Sequence, residues 1–172
     1  MSDATLKLIS DSLIESESEL GPQLFIADEN VDDQHVLQRF ARIMPVITNR
    51  FNIFTAIELI GPTHYFSDFD FSHIDDASLQ RIYYRTSKEK AVVHHVINAA
   101  ARLLKTDGEL IIAGEKHQGI QTYIKKASLR LGSEGIVKKD GPARIESRTT
   151  CRAAAIQATA WQIVPRRPPP LQ

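Results

Sequence analysis

Three short apolar runs, at residues 23–27, 46–48 and 109–114, alternate with segments whose apolar residues recur every three or four positions. A run without polar alternation suits a strand buried on both faces, and strands of that kind belong to parallel sheets. Parallel neighbours need a crossover of a dozen or more residues between them, normally a helix. The spacing predicts helices over residues 4–20, closed by Gly21-Pro22, and over 36–43, after Asp32-Asp33 and before Pro45. It predicts others at 51–60, with Gly61 for a left-handed end, at 91–104, and at 120–131, stopped by Gly132. Thr86 followed by Glu89 matches a capping box at the start of the fourth of these. Residues 63–66 and 79–84 read as further strands, 67–78 as a long polar loop, and Lys105-Thr106-Asp107-Gly108 as a turn. The expected fold is α/β, a doubly wound, Rossmann-like and mainly parallel sheet with helices on both faces.

A chain of 172 residues fits one domain of ordinary size plus a tail, with the boundary expected after Gly141-Pro142: residues 1–142 form the domain and 143–172 a poorly ordered tail outside its core. In that tail Arg144, Arg148 and Arg152 stand among small residues, and Arg166-Arg167 precede three prolines. Twenty-one basic and twenty-one acidic residues cancel, so no global field points to nucleic acid or an anionic membrane. The charge is unevenly distributed. Through Asp33 nine acids face Lys7 alone, whereas from Lys116 onward eleven bases face three acids. The lone Cys151 excludes an internal disulfide and a multi-cysteine metal framework, which fits a reducing, cytoplasmic setting. The acidic N-terminus lacks the features of a signal peptide, and no apolar stretch is long enough to span a bilayer.

Doubly wound folds bind ligands beyond the carboxyl ends of their strands, so the turn after the first strand is the place to look for a cofactor. Residues 27–33, Ala-Asp-Glu-Asn-Val-Asp-Asp, contain no glycine that would let the backbone approach a dinucleotide or S-adenosylmethionine, and their acids would repel a pyrophosphate. No phosphate loop, nucleophile elbow or His-Glu-x-x-His helix occurs, so no catalytic, cofactor-binding or metal residues are assigned. The turn Gly114-Glu115-Lys116-His117-Gln118-Gly119 opens a helix where amides, Lys116 and His117 could meet an anion, although a plain tight turn with solvated charges is the simpler reading. Lys125, Lys126 and Arg130 lie on the following helix and are candidates for phosphate contact, against the alternative of an ordinary polar face. His94 and His95 point about 100° apart on a helix, poor geometry for one metal. Asp68, Asp70, Asp75 and Asp76 do not follow a calcium-loop spacing, and Cys151 has no evident base partner.

Ile82-Tyr83-Tyr84-Arg85-Thr86-Ser87-Lys88-Glu89-Lys90, the helix to Leu104, and Gly108 through Ile120 resemble the N-terminal domain of bacterial rRNA guanine-N2 methyltransferases. The resemblance covers roughly residues 20–140 and rests on Tyr-Tyr-x-x-x-Lys-x-Lys and Gly-Glu-x-x-x-Gly. It implies a degenerate methyltransferase-like domain that has lost its cofactor site and serves rRNA recognition and folding support. The family's glycine-rich S-adenosylmethionine loop and Asn-Pro-Pro-aromatic motif have no counterpart in this sequence. The chain is therefore expected to bind no cofactor itself, S-adenosylmethionine serving the full-length enzyme, with rRNA and a catalytic methyltransferase domain as partners. The Arg/Ala-rich stretch after Gly141 points to truncation or a shifted reading frame, with a natural stand-alone protein left open. Two other readings stand beside this one: a methyltransferase with an atypical cofactor loop, and an interaction module that dimerises through surface the missing half would cover.

Overall fold

The computed structural model describes residues 4–14, 21–132, 136–140 and 146–152. Seven strands form one sheet in the order β3-β2-β1-β4-β5-β7-β6. They are β1 (Gln23–Ala27), β2 (Val46–Thr48), β3 (Tyr65–Phe66), β4 (Leu79–Arg85), β5 (Leu104–Glu115), β6 (Ile136–Asp140) and β7 (Glu146–Arg152). The first five are parallel, while β7 runs antiparallel to both β5 and β6. All five residues of β1 are buried, as its unbroken apolar run requires.

Helices cover both faces. On one face α1 (Ala4–Ile14), α2 (Gln34–Ile43) and α3 (Phe51–Ile57) pack on Phe25, Tyr83 and Ile111. There Phe40 stacks on Phe25, with centroids 4.3 Å apart, and meets Tyr83 edge-on at 5.3 Å, contacts worth about 1 kcal/mol each beyond burial. On the other face α4 (Lys90–Leu103) and α5 (Ile120–Leu131) pack on Leu24, Ile26, Ile82, Tyr84, Leu110 and Ile112. Alternate residues of each strand thus feed opposite cores. Asp33 caps α2 by accepting from the His35 and Val36 amides, and Gly132 ends α5 at φ 73°, a conformation that favours glycine. Residues 15–20, the last part of the first expected helix, lie outside the described residues.

Four expectations are corrected. The capping box does not form: α4 starts at Lys90 with Glu89 as its N-cap, and the Thr86 hydroxyl is buried without a partner. Residues 105–108 are part of β5, which absorbs Asp107 at φ 64° beside a register shift against β4. The loop 67–78 is not simply solvated. Phe69 and Phe71 are buried, Arg102 donates to the Phe71 and Ile74 carbonyls, and the His95 ring bonds the Phe69 carbonyl at 2.8 Å. Finally, residues 146–152 of the expected tail are strand β7, inserted between β5 and β6, so the sheet continues beyond residue 142. Residues 153–172 lie outside the described residues.

Candidate functional site

The chain places β2 and β3 on one side of β1, then crosses over to lay β4 and β5 on the other. The switch point therefore falls between β1 and β4, where a doubly wound sheet opens its ligand crevice at the carboxyl ends. Residues 28–30 follow β1 here and residues 86–88 follow β4.

The two loops are tied together by their own side chains. Asn30 donates from Nδ2 to the Thr86 carbonyl at 2.7 Å. Glu29 Oε1 accepts from the Ser87 hydroxyl and the Lys88 amide, both at 2.8 Å, while its other oxygen faces Arg50 at 3.4 Å. Glu29 thus places a carboxylate just ahead of α4, where the free amides and dipole of a helix start favour an anion. The Tyr84 hydroxyl donates to Asp28 Oδ2 at 3.3 Å and accepts from the Ser87 amide at 3.1 Å.

Burial pushes the Asp28 carboxyl from its ordinary 3.8 up to about 7; the neighbouring Glu29 charge adds to this, and the Asn30 amide, Tyr84 and Arg85 oppose it. Burial also raises the Glu29 carboxyl, but the Lys88 amide, the Ser87 hydroxyl and Arg50 outweigh it, and the net shift is downward. Burial and the Asp28 charge hold the Tyr84 hydroxyl far above its usual range, so it remains a donor.

Methyl-donor cofactors of this fold need room beside the first loop. Here the three residues after β1 are Asp, Glu and Asn, and each reaches into the crevice to bond the residues that end or follow β4. Three bonded polar side chains here, in place of glycine, do not fit a glycine-rich loop whose backbone approaches S-adenosylmethionine.

The second expected place, the turn after β5, is organised by a buried cation. Arg85 donates to Gln118 Oε1 at 2.8 Å and to the Thr86 carbonyl at 3.2 Å, and pairs with Glu115 at 3.5 Å. Glu115 also bonds exposed His117 at 3.1 Å. Gly119 sits at φ 84°, so the turn requires it, and Gly114 leaves space filled by Thr86 and Ile120. Lys116 lies in the 3-10 turn Lys116–Gln118. On α5, Lys125 and Arg130 are exposed, whereas Lys126 is half-buried with Nζ 2.7 Å from His94 Nδ1. Arg130 lies ten residues, about 15 Å, along α5 from the end that carries His117, so the five candidate residues do not form one cluster.

Tyr84 enters the sequence reading only within the Tyr-Tyr motif and Arg85 only beside it, and neither is given a site role there, although Tyr84 joins the two loops and Arg85 organises the turn after β5. A charged residue directly after the buried run Ile82-Tyr83-Tyr84 is the one signal that could have marked Arg85. Among the described residues no group of three His, Cys, Asp or Glu side chains could hold a metal, and no helix is long and apolar enough to cross a membrane. His64 serves the fold, taking the Val46 amide at 3.0 Å.

No family model matches the chain, and neither does any curated protein. Among solved structures it is similar to the T. thermophilus 16S rRNA N2 guanine methyltransferase, solved with AdoMet and guanosine: TM-score 0.60, 20% identity, 88% of this chain and 39% of that one. It is also similar to an rRNA methylase from Streptococcus thermophilus, with TM-score 0.59, 10% identity and coverage of 90% and 99%. A TehB-like SAM-dependent methyltransferase from Corynebacterium glutamicum matches at TM-score 0.57 and 10% identity, over 84% and 87%. The chain has a Rossmann-like, methyltransferase-like fold, and spans about two fifths of the first of these relatives.

Proposed function

We propose that the chain is the N-terminal, non-catalytic module of an rRNA guanine-N2 methyltransferase, working in the cytoplasm and lending rRNA recognition and folding support to a catalytic domain. The observation that carries this reading is the closure of the switch-point crevice by Asp28, Glu29 and Asn30, each bonded to a residue at the end of β4 or just after it. A crevice filled in this way leaves the fold as a scaffold. The share of the T. thermophilus enzyme that the chain spans, 39%, supports a module within a larger protein.

RNA contact is assigned to the outer surface of α5, with Lys125, Lys126 and Arg130 as phosphate ligands and Lys116 and His117 at its leading end. Three phosphate contacts predict that affinity for a structured rRNA fragment falls about 20- to 40-fold between about 50 and about 200 mM salt.

Two titrations test the reading. S-adenosylmethionine added to the folded chain should give no binding heat at millimolar ligand, and clear one-to-one binding would replace it with that of an enzyme with an atypical loop. An rRNA fragment should bind with the stated salt dependence and lose most of it in Lys125→Ala/Lys126→Ala. Salt-independent binding, or none, would overturn the RNA role.

A further inference from the structure

α4 and α5 lie side by side on one face of the sheet, and neither contains an acid. Between them they hold Lys90, Arg102, Lys125, Lys126 and Arg130. Each follows one of two parallel strands, β4 and β5, so both helices lead away from the carboxyl ends in the same direction. One contact sets their register. Lys126 Nζ lies 2.7 Å from His94 Nδ1, and because an ammonium has only protons to give, it donates and the ring nitrogen accepts. The His94 ring also meets Tyr123 edge-on, with centroids 5.7 Å apart. Residues four apart share a side of a helix, so one turn before this pair Lys90 stands opposite Thr122, and one turn beyond it Asn98 stands opposite Arg130. Lys90, Thr122, Asn98 and Arg130 are exposed, and His94 and Lys126 are half-buried. The seam between the helices therefore presents one cation at each of three levels about 6 Å apart, with a neutral hydrogen-bonding side chain beside each. Glu89, the acid that precedes α4, is flanked by Lys88 and Lys90.

Cations in such a line suit one strand of nucleic acid, whose successive phosphates lie a similar distance apart. An anionic membrane would meet the same charges, but interfacial helices also bury several large apolar side chains. Leu129 is the only one exposed on either helix among the described residues. Sequence-specific RNA readers stack unpaired bases, chiefly on exposed aromatic rings. Here Tyr123 is 4% exposed, the His94 ring is engaged by Lys126 and Tyr123, and the His95 ring by the Phe69 carbonyl and Phe71. A seam of this kind grips phosphates and leaves the bases unread. We infer that the α4–α5 seam holds the backbone of one RNA strand whatever its sequence, with Lys90 of α4 as a fourth phosphate ligand beside Lys125, Lys126 and Arg130. The inference rests on the RNA role proposed for α5 and extends it, because choice of the nucleotide then falls to the catalytic domain.

Fluorescence anisotropy of a labelled rRNA hairpin, and of the same hairpin with its bases permuted, tests it. Four phosphate contacts predict an affinity that falls about 50- to 150-fold between about 50 and about 200 mM salt. Lys90→Ala should return the fall to the roughly 20- to 40-fold of three contacts. Its melting temperature should hold, because the side chain is exposed. The two hairpins should bind within about threefold of each other, less than one misread base costs a specific reader. Lys7→Ala, on α1 across the sheet, should leave the salt dependence unchanged.

If Lys90→Ala leaves the salt dependence where it was while Lys125→Ala/Lys126→Ala abolishes it, the inference falls and the role of α5 stands. A permuted hairpin bound more than about tenfold more weakly overturns it as well, since the bases are then read. Lys7→Ala acting as Lys90→Ala does would reduce the effect to overall charge, with the same result. Binding to neither hairpin removes the inference together with the role of α5, and binding to phosphatidylserine vesicles in their place assigns the seam to a membrane.

Discussion

Asp28→Asn should stabilise the protein above neutral pH and should do so in a way that depends on pH. The Asp28 carboxyl titrates near 3.8 when the chain is unfolded and near about 7 when folded, chiefly because it is buried. Between those values the folded protein keeps a proton that the unfolded chain has released, so this group's contribution to stability falls as pH rises. Each pH unit in that window costs about 1.4 kcal/mol, and the separation of about three units sets the full loss at about 4 kcal/mol. Asparagine has no charge to bury. Urea denaturation followed by circular dichroism, run on both proteins from about pH 4 to about pH 8, measures the difference directly. Asp70, whose carboxyl is held below its ordinary value, acts in the opposite sense but is common to both proteins and cancels; Glu29, also held low, is coupled to Asp28 and affects the difference only at the acid end of the window. The difference should grow in favour of the variant by about 1.4 kcal/mol per pH unit and level off above about pH 7. The amide's new donors can add only a constant offset. A difference that stays flat across the window would refute the reasoning, since Asp28 would then be ionised in the fold at every pH tested.

Two further outcomes follow from the turn after β5. Arg85→Ala should cost about 3–5 kcal/mol in a denaturation midpoint experiment, because it strips the buried partner from Gln118 and Glu115, and Arg85→Lys should recover only part for want of the planar fork. Gly114→Ala should cost about 1–3 kcal/mol, because its Cβ would fall on the unpartnered Thr86 hydroxyl; adding Thr86→Ala should return much of that loss, and strictly additive effects would show that the two do not meet.

What the sequence makes legible is whatever is decided locally. The unbroken run of β1 could only be buried on both faces, and the stop of α5 follows from a glycine that can take φ 73°. The turn at 105–108 was misread because Lys-Thr-Asp-Gly is good turn chemistry, yet pairing with β4 carries the strand straight through it. The capping box failed for the converse reason. Thr86 is buried, and the amides ahead of α4 take their acceptors from the Ser87 hydroxyl and from Glu29, some 59 residues away. Nothing within a window of a few residues encodes such a partner. β7 carries Arg148 and Arg152 among small residues, and its place between β5 and β6 is a property of the sheet rather than of its own pattern. At the site, the missing glycines after β1 could be read directly, whereas Tyr84 and Asp28, 56 positions apart, meet only once β1 and β4 are neighbours.

The bonding between the first loop and the end of β4 is more than an absence of glycine. A fold that had merely shed its glycines would leave polar side chains at the strand ends turned to water, at little cost to stability. Here three consecutive side chains after β1 bond to residues at the end of β4 or just after it, and one of them is an acid buried so deeply that it titrates near neutrality. Reopening the crevice would release Glu29 from the start of α4 and leave the Ser87 and Lys88 donors without their acceptor. The buried Ser87 hydroxyl left unmet would cost about 1–3 kcal/mol, whereas the exposed Lys88 amide can turn to water, so the contact contributes to the stability of the fold. On the reading proposed above, the Asp28, Glu29 and Asn30 side chains serve the fold, and the outer surface of α5 is left for a partner.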